Sequence, residues 1–244
     1  RAVELELGSI NVGYRGFESL WADGEASAEG RPSDDRDGAC NIDVACPIAD
    51  PWDEIIRSVG VISTGGSTFC TGFMVNNTAN DLTPYFMTAD HCTVGASDAP
   101  SLVVYWNFEN STCRTPGSSA SGGPGDGQLN EFNTGSTLIA DYAPSDFTLL
   151  LLDDDPNPDW RVTFAGWDRS GAEATTAIAV HHPSTDEKRI SFEYDPTTTT
   201  DYLADAVDPN QTHVRVDDWD EGTTEPGSSG SPLFDQNGRV IGQL

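Results

Sequence analysis

The chain has 244 residues, with 40 acidic and 12 basic side chains and a formal net charge of −28. A surface this negative repels phosphate backbones and anionic lipid headgroups, which excludes sequence-independent nucleic-acid binding and a membrane-surface role. Six Trp, 6 Tyr and 10 Phe can anchor a core, so the composition describes a folded acidic domain rather than an acidic tail.

Residues 1 to 20 open with alternation, Val3, Leu5 and Leu7 against Glu4 and Glu6, then Ile10, Val12 and Tyr14. That pattern predicts strand. No signal peptide is legible at Arg1; a secreted protein would already have lost it. Residues 22 to 39, rich in Gly, Ala, Ser and Asp, read as a mobile connector. From Cys40 onward, short apolar runs alternate with turn clusters. The runs are Ile55 to Ile62, Cys70 to Val75, Tyr85 to Met87, Leu102 to Phe108, Thr137 to Ala140 and Phe147 to Leu152. Ala177 to Val180, His213 to Val216 and Arg239 to Leu244 complete the set. The longest Gly/Pro/Ser stretch is Pro116 to Gly127, and the one predicted helix is short, Pro51 to Arg57. Many short strands without a sustained 3.6-residue period predict an all-β barrel or sandwich. No run approaches the roughly 18 apolar residues of a membrane helix. The last run stops at Leu244 as a bare apolar edge, so further chain is expected beyond it.

Five cysteines, Cys40, Cys46, Cys70, Cys92 and Cys113, lie in the first half without C-x-x-C spacing. They predict disulfides in an oxidising compartment and, being odd in number, leave one thiol without a partner in this sequence.

The strongest chemical signal is Gly227-Ser228-Ser229-Gly230-Ser231-Pro232. Glycines around a serine let the backbone bend until N–H groups converge on one oxygen. Alone, such a turn is more often structural. Two partners change that. Asp90-His91-Cys92 follows the apolar run at Tyr85 to Met87, and Asp146 stands at the mouth of the run Phe147 to Leu152. A carboxylate beside so apolar a strand needs a hydrogen-bond donor, and an imidazole N–H provides one. The order His91, Asp146, Ser229 is that of the chymotrypsin-type triad.

The chain resembles the bacterial lysyl endopeptidases, secreted trypsin-like serine proteases. The segments that carry the likeness include Cys40 to Pro47, Val75 to Asp81, Val103 to Phe108, Ser145 to Leu150, Ala165 to Asp168, His181 to Pro183, Glu187 to Ser191 and Thr224 to Pro232. The resemblance implies two antiparallel β-barrels, the first about 55–140 and the second about 147–244, the latter lacking its C-terminal strands here. Residues 40–244 would be the protease domain, and 1–39 an N-terminal extension or pro-segment remnant. It implies Ser229 as nucleophile, His91 as general base and acid, Asp146 as the residue orienting His91, and the N–H groups of Gly227 and Ser229 as the oxyanion hole. It pairs Cys46 with Cys113 and Cys70 with Cys92, the second bridge pinning the loop of His91, and sends Cys40 to a cysteine beyond Leu244. The family's main specificity aspartate belongs to that same later part. Glu225 is the specificity carboxylate expected within this sequence, its alternative being one more surface acid.

Trypsin-like enzymes activated by a freed N-terminus keep an acid before the nucleophile; here it is Ser228, so that route is not expected. The single lysine, Lys188, among 12 basic residues fits an enzyme that cuts after Lys, and fits salt adaptation as well. No cofactor or metal is expected: the acidic stretch Asp153 to Asp159 lacks the Gly and Glu of a calcium loop and reads as a solvated turn. His181 and His182 end an apolar strand and read by default as packing residues, the alternative being that one of them lines the substrate cleft. The rival readings are an Arg- or Glu-specific protease of the same fold, and an inactive pseudoprotease or binding module. The partners expected are protein or peptide substrates and a C-terminal continuation or second chain completing the barrel, with secretion from a bacterium.

Overall fold

A computed structural model describes residues 36–201 and 212–244. The strand predicted between Val3 and Tyr14, and most of the connector, lie outside the described residues. The connector's last residues, Arg36–Ala39, form a helical turn, α1. A second, α2, spans Asp53–Ile56, within the predicted helix. Fourteen strands follow in the described residues: β1 (Ile42–Asp43), β2 (Val59–Thr64), β3 (Ser67–Met74), β4 (Tyr85–Ala89), β5 (Val103–Tyr105), β6 (Phe132–Thr134), β7 (Ser136–Tyr142), β8 (Phe147–Leu152), β9 (Ala177–His181), β10 (Arg189–Glu193), β11 (Thr198–Thr200), β12 (His213–Arg215), β13 (Pro232–Asp235) and β14 (Val240–Gln243). The chain is mostly antiparallel β, as the turn-punctuated apolar runs predict.

Seven strands form one sheet in the order β6-β5-β2-β3-β4-β8-β7. Its two edge strands are consecutive in the chain, with only Gly135 between them. Gly135 adopts φ +81°, its N–H donates to Leu102 O at 2.8 Å, and its O accepts from Asp153 N at 3.2 Å. The sheet therefore curls back on itself, and chain connectivity joins the edges that would otherwise be exposed. A second, five-stranded sheet, β1-β10-β9-β13-β14, stays open. β11 and β12 pair separately.

One boundary differs from the sequence reading, which began the second barrel at residue 147. β8 lies between β4 and β7 in the first sheet. The residues between β7 and β8, Ala143 to Asp146, make too short a link for anything but a hairpin, and β8 buries Thr148, Leu150 and Leu152 on alternate positions inside that sheet. Conversely β1, near the N-terminal end of the domain, pairs with β10 of the second sheet.

The first sheet encloses Ile62, Met74, Phe86, Val104, Trp106 and Leu150. Phe86 meets Trp106 edge to face at 5.9 Å, and truncating such a buried ring costs about 3–5 kcal/mol. The second core sets Ile178, Val180, Ile190, Phe192 and Phe234 against Val59 and Phe73 of the first sheet. Shared side chains thus fix one sheet against the other, and the loops that carry His91, Asp146 and Ser229 lie along that junction.

Disulfides join Cys46 to Cys113 and Cys70 to Cys92, the pairing the resemblance implies. Their loops span 67 and 22 residues, worth about 4 and 3 kcal/mol through restriction of the unfolded chain. Cys40 is exposed and belongs to neither bridge. A buried ionic cluster ties the N-terminal segment down: Asp43 accepts from Arg114 Nη2 at 2.6 Å and Nε at 3.0 Å, and pairs with Arg189 Nη1 at 2.8 Å. With both oxygens engaged by two guanidinium groups, the buried carboxylate keeps its charge compensated. Among the described residues no helix is long and apolar enough to cross a membrane.

Candidate active site

His91 sits in a single 3-10 turn, Asp90–Cys92, at the end of β4, and the bridge to Cys70 on β3 holds that turn from below. Asp146 follows the short turn that leads into β8, with φ 52° and ψ 40°, a left-handed conformation that aspartate tolerates better than most residues. That conformation aims its carboxylate across the junction. Oδ1 accepts the main-chain N–H of His91 at 2.8 Å, and Oδ2 lies 2.6 Å from His91 Nδ1. Its main-chain O accepts Asp90 N–H at 3.1 Å and also the Gln243 side-chain amide from β14. An ionised carboxylate only accepts, so the Nδ1 proton faces Asp146 and the Nε2 lone pair faces outward. The imidazole is 53% exposed and the carboxylate 34%, so solvent screens their attraction and the pair's role is orientation rather than stability.

Ser229 occupies the turn before β13. Its O accepts Thr71 N–H at 2.8 Å and lies 3.8 Å from the Cys92 sulfur. A ring nitrogen of His91 lies within 4.8 Å of both sulfurs of the same bridge. One disulfide therefore underlies both His91 and Ser229; its sulfurs, bonded to each other, are not metal ligands. Among the described residues Ser229 Oγ makes no hydrogen bond.

Two glycines set the turn. A Cβ on Gly227 (φ +96°) would stand 2.6 Å from Thr185 N and 3.0 Å from His182 O. On Gly230 (φ +84°) it would overlap Thr71 O and Thr88 Oγ1. Only glycine lets the loop press against both sheets. Neither Gly227 N–H nor Ser229 N–H donates to a described residue. Gly227 O is held by Thr71 Oγ1 at 2.9 Å, which leaves those two N–H groups available to a ligand oxygen.

Glu225 is half-buried, with Oε1 accepting from Asn41 Nδ2 at 2.7 Å and Oε2 from Ser184 Oγ at 3.1 Å. Its orientation is set by the N-terminal segment and the loop after β9, neither of which its own neighbourhood in sequence indicates. A cleft of about 460 Å³ borders the serine turn through Thr224 and Ser231, with Arg215, Trp219 and Gln243 also lining it. A larger apolar groove, about 700 Å³, runs between the sheets past Met87, Phe147, Leu149, Trp167 and Val240. Neither contains His91, Ser229 or Glu225; the His–Asp pair stands at the surface beside them. Asp153 to Asp159 forms a turn in which Asn157 Oδ1 caps Asp159 N–H at 3.0 Å.

Two histidines for which the sequence favours packing over a place in the substrate cleft, His181 and His182, are both fully buried. His182 stacks on Phe108 and donates from Nδ1 to Asp186 O at 2.8 Å. His181 contacts Ser228, directly beside the candidate nucleophile, at 2.9 Å. The order His-His-Pro after an apolar strand was the one signal that could have drawn attention to it.

A curled antiparallel sheet joined to a second one, with a His–Asp pair and a glycine-flanked serine at the junction, is the architecture of the trypsin-like serine proteases. The family model for the lysyl endopeptidase C-terminal domain matches residues 35–244, and the chain belongs to that family. A lysyl endopeptidase of Pseudomonas aeruginosa is 26% identical over 225 residues, covering 88% of this chain and 46% of that protein. The chain thus spans about half the length of that relative. Among solved structures, the HtrA-type protease AlgW with a tripeptide aligns with TM-score 0.52 and 16% identity, covering 81% of this chain and 54% of AlgW. An alanine variant of AlgW aligns with TM-score 0.53 and 15% identity over 81% and 54% of the two chains. Those two likenesses speak for the fold.

Proposed function

We propose that the protein is a secreted serine endopeptidase that cleaves peptide bonds after lysine, with the open five-stranded sheet as its second barrel. The observation that carries the reading is the Asp146 carboxylate, which holds the His91 main chain and ring at once beside a serine turn with two undonated N–H groups. Ser229 Oγ attacks the scissile carbonyl carbon as its proton passes to His91 Nε2. The carbonyl oxygen takes the negative charge and receives Gly227 N–H and Ser229 N–H, each worth about 2.7–4 kcal/mol in such a site. The tetrahedral intermediate collapses, the C–N bond breaks, and His91 Nε2 gives its proton to the leaving amine. Water then loses a proton to Nε2, attacks the acyl ester, and frees Ser229 with the proton returned to its oxygen. No step calls for a cofactor.

Lysine specificity draws support from Glu225 and from a net charge of −28, which attracts basic segments of a substrate. Glu225, four residues before Ser229, is the carboxylate we assign to the pocket that receives the lysine side chain. Secretion is supported by two disulfides, which persist in oxidising compartments.

Labelling with a biotinylated phosphonofluoridate tests the nucleophile. The full chain should take up one label and the Ser229→Ala variant none; label on both, or on neither, overturns the assignment. A peptide panel varied before the scissile bond tests specificity. Turnover after Lys should exceed that after Arg and Glu, and faster cleavage after either rival contradicts the lysine reading.

A further inference from the structure

We propose that His181 is a positioning residue for the nucleophile turn: through a directed chain of hydrogen bonds that runs from Ser228 to Thr223, it sets where Ser229 and the two oxyanion N–H groups stand. This rests on the reading of Ser229 as nucleophile. His181 closes β9, buried beneath the serine turn, and none of the catalytic steps uses it. Its two ring nitrogens reach different elements. Nε2 lies 3.0 Å from Ser191 Oγ on β10, and Nδ1 lies 2.9 Å from Ser228 Oγ.

The proton positions follow from the far end. Ser191 Oγ–H donates to Thr223 O at 2.9 Å. The same oxygen must then accept from His181, which puts the ring proton on Nε2. Nδ1 is left as an acceptor, so Ser228 Oγ–H donates to it. Ser228 Oγ in turn accepts Glu225 N–H at 3.3 Å. Each polar side-chain atom of the chain has a partner, as burial of all three side chains demands. Burial, with Arg189 adding to it, lowers the His181 pKa to about 3, so the ring stays neutral and the direction of the chain does not reverse.

The placement gives the chain its consequence. It begins on the residue between Gly227 and Ser229 and ends at Thr223, so it fastens the turn to β9 and β10 at two points. From the other sheet, Thr71 holds Gly227 O through Oγ1 and Ser229 O through its N–H. Gly227 and Ser229, the residues that bear the oxyanion donors, are thereby held through their carbonyl groups by the first sheet, and Ser228 between them by the second. Ser228 stands where an acid would be needed for capture of a free N-terminus; a neutral serine and a neutral histidine fill that place.

The test separates positioning from folding. In the full chain, Ser228→Ala removes the donor and His181→Phe removes both bonds at similar volume. Each should lower kcat on a lysyl amide about tenfold or more with KM changed far less, because the groups displaced act on the transition state. His181→Asn retains an acceptor near Nδ1 and should recover most of kcat. His181→Gln reaches toward Ser191 instead and should not. A purely structural role would move the melting temperature of both alike and kcat with it. Should His181→Phe fail to fold, Ser228→Ala, the loss of one oxygen, carries the test. Equal kcat for Ser228→Ala and the parent, or equal recovery by Asn and Gln, overturns the proposal. If instead Ser229→Ala keeps full turnover, the assignment of the nucleophile has failed, a result that these four variants do not produce.

Discussion

Replacing Asp146 by Asn keeps the size of the side chain and reverses one of its two bonds to His91. The carboxylate now accepts the His91 main-chain N–H at 2.8 Å with one oxygen and faces Nδ1 at 2.6 Å with the other. An amide has one acceptor and one donor end. The main-chain N–H cannot turn into an acceptor, so the amide oxygen stays on it and the NH₂ faces Nδ1. The ring must then carry its proton on Nε2, the atom that has to take the proton of Ser229. The expected cost is a fall of about 10⁴ in kcat, or about 5 kcal/mol of transition-state stabilisation. Folding stability should change by less than about 1 kcal/mol, because the pair is 53% and 34% exposed and screened by water. Steady-state turnover of a lysyl amide and a thermal melt on the same preparation measure both quantities. The rate of phosphonofluoridate labelling should fall in parallel with kcat. A loss under about tenfold, or one that tracks a lowered melting temperature, would refute the orienting role assigned to Asp146.

Other outcomes follow from the same structure. Gly230→Ala adds a Cβ that overlaps Thr71 O and Thr88 Oγ1 at φ +84°, and should cost about 2 kcal/mol or more in a denaturant melt; an unchanged midpoint would contradict the close approach. Lys188, the chain's single lysine, is fully buried with Nζ on Glu109 at 2.8 Å and Ile56 O at 3.1 Å. The folded protein should therefore survive prolonged self-incubation, while Arg169→Lys, in an exposed loop, should introduce one new cut at that position seen by mass spectrometry; an intact variant opposes the lysine reading. Burial first, then the neighbouring Asp186, pushes Glu187 up to about 7 from its ordinary 4.5, against the pull of Gly127 N–H and Arg114. The folded state thus keeps a proton that the unfolded chain releases, so this group's contribution is fully present below 4.5 and is lost as pH rises toward about 7. Glu187→Gln, neutral throughout, should flatten the unfolding free energy over that window; the same slope as the parent would show that Glu187 does not titrate there.

Much of the candidate site was legible in the sequence because its cues are local. Gly227 and Gly230 around two serines announce a tight turn, and Asp146 before an apolar strand announces a carboxylate in need of a donor. The short runs between Gly and Pro clusters gave the all-β class, since a period of two and turn chemistry act over a few residues. Strand order was less accessible. β8 looked like the start of a second barrel and proved to be the inner strand of a hairpin, because sheet membership depends on pairing partners and not on the strand's own pattern. Partners far apart in the chain were not accessible at all. Glu225 finds Asn41 across 184 positions, and Ser228 finds His181 across 47.

The residues able to do the chemistry, and the cysteines able to brace them, are thus properties of the sequence. The tertiary structure decides which nitrogen of His91 faces Asp146, that a single disulfide lies beneath both His91 and Ser229, and that Lys188 is buried rather than displayed. It also makes of His181 a support for the serine turn. Hydrogen bonds between buried groups depend on distances of a few tenths of an ångström and on the absence of water, and only the packed sheets impose both.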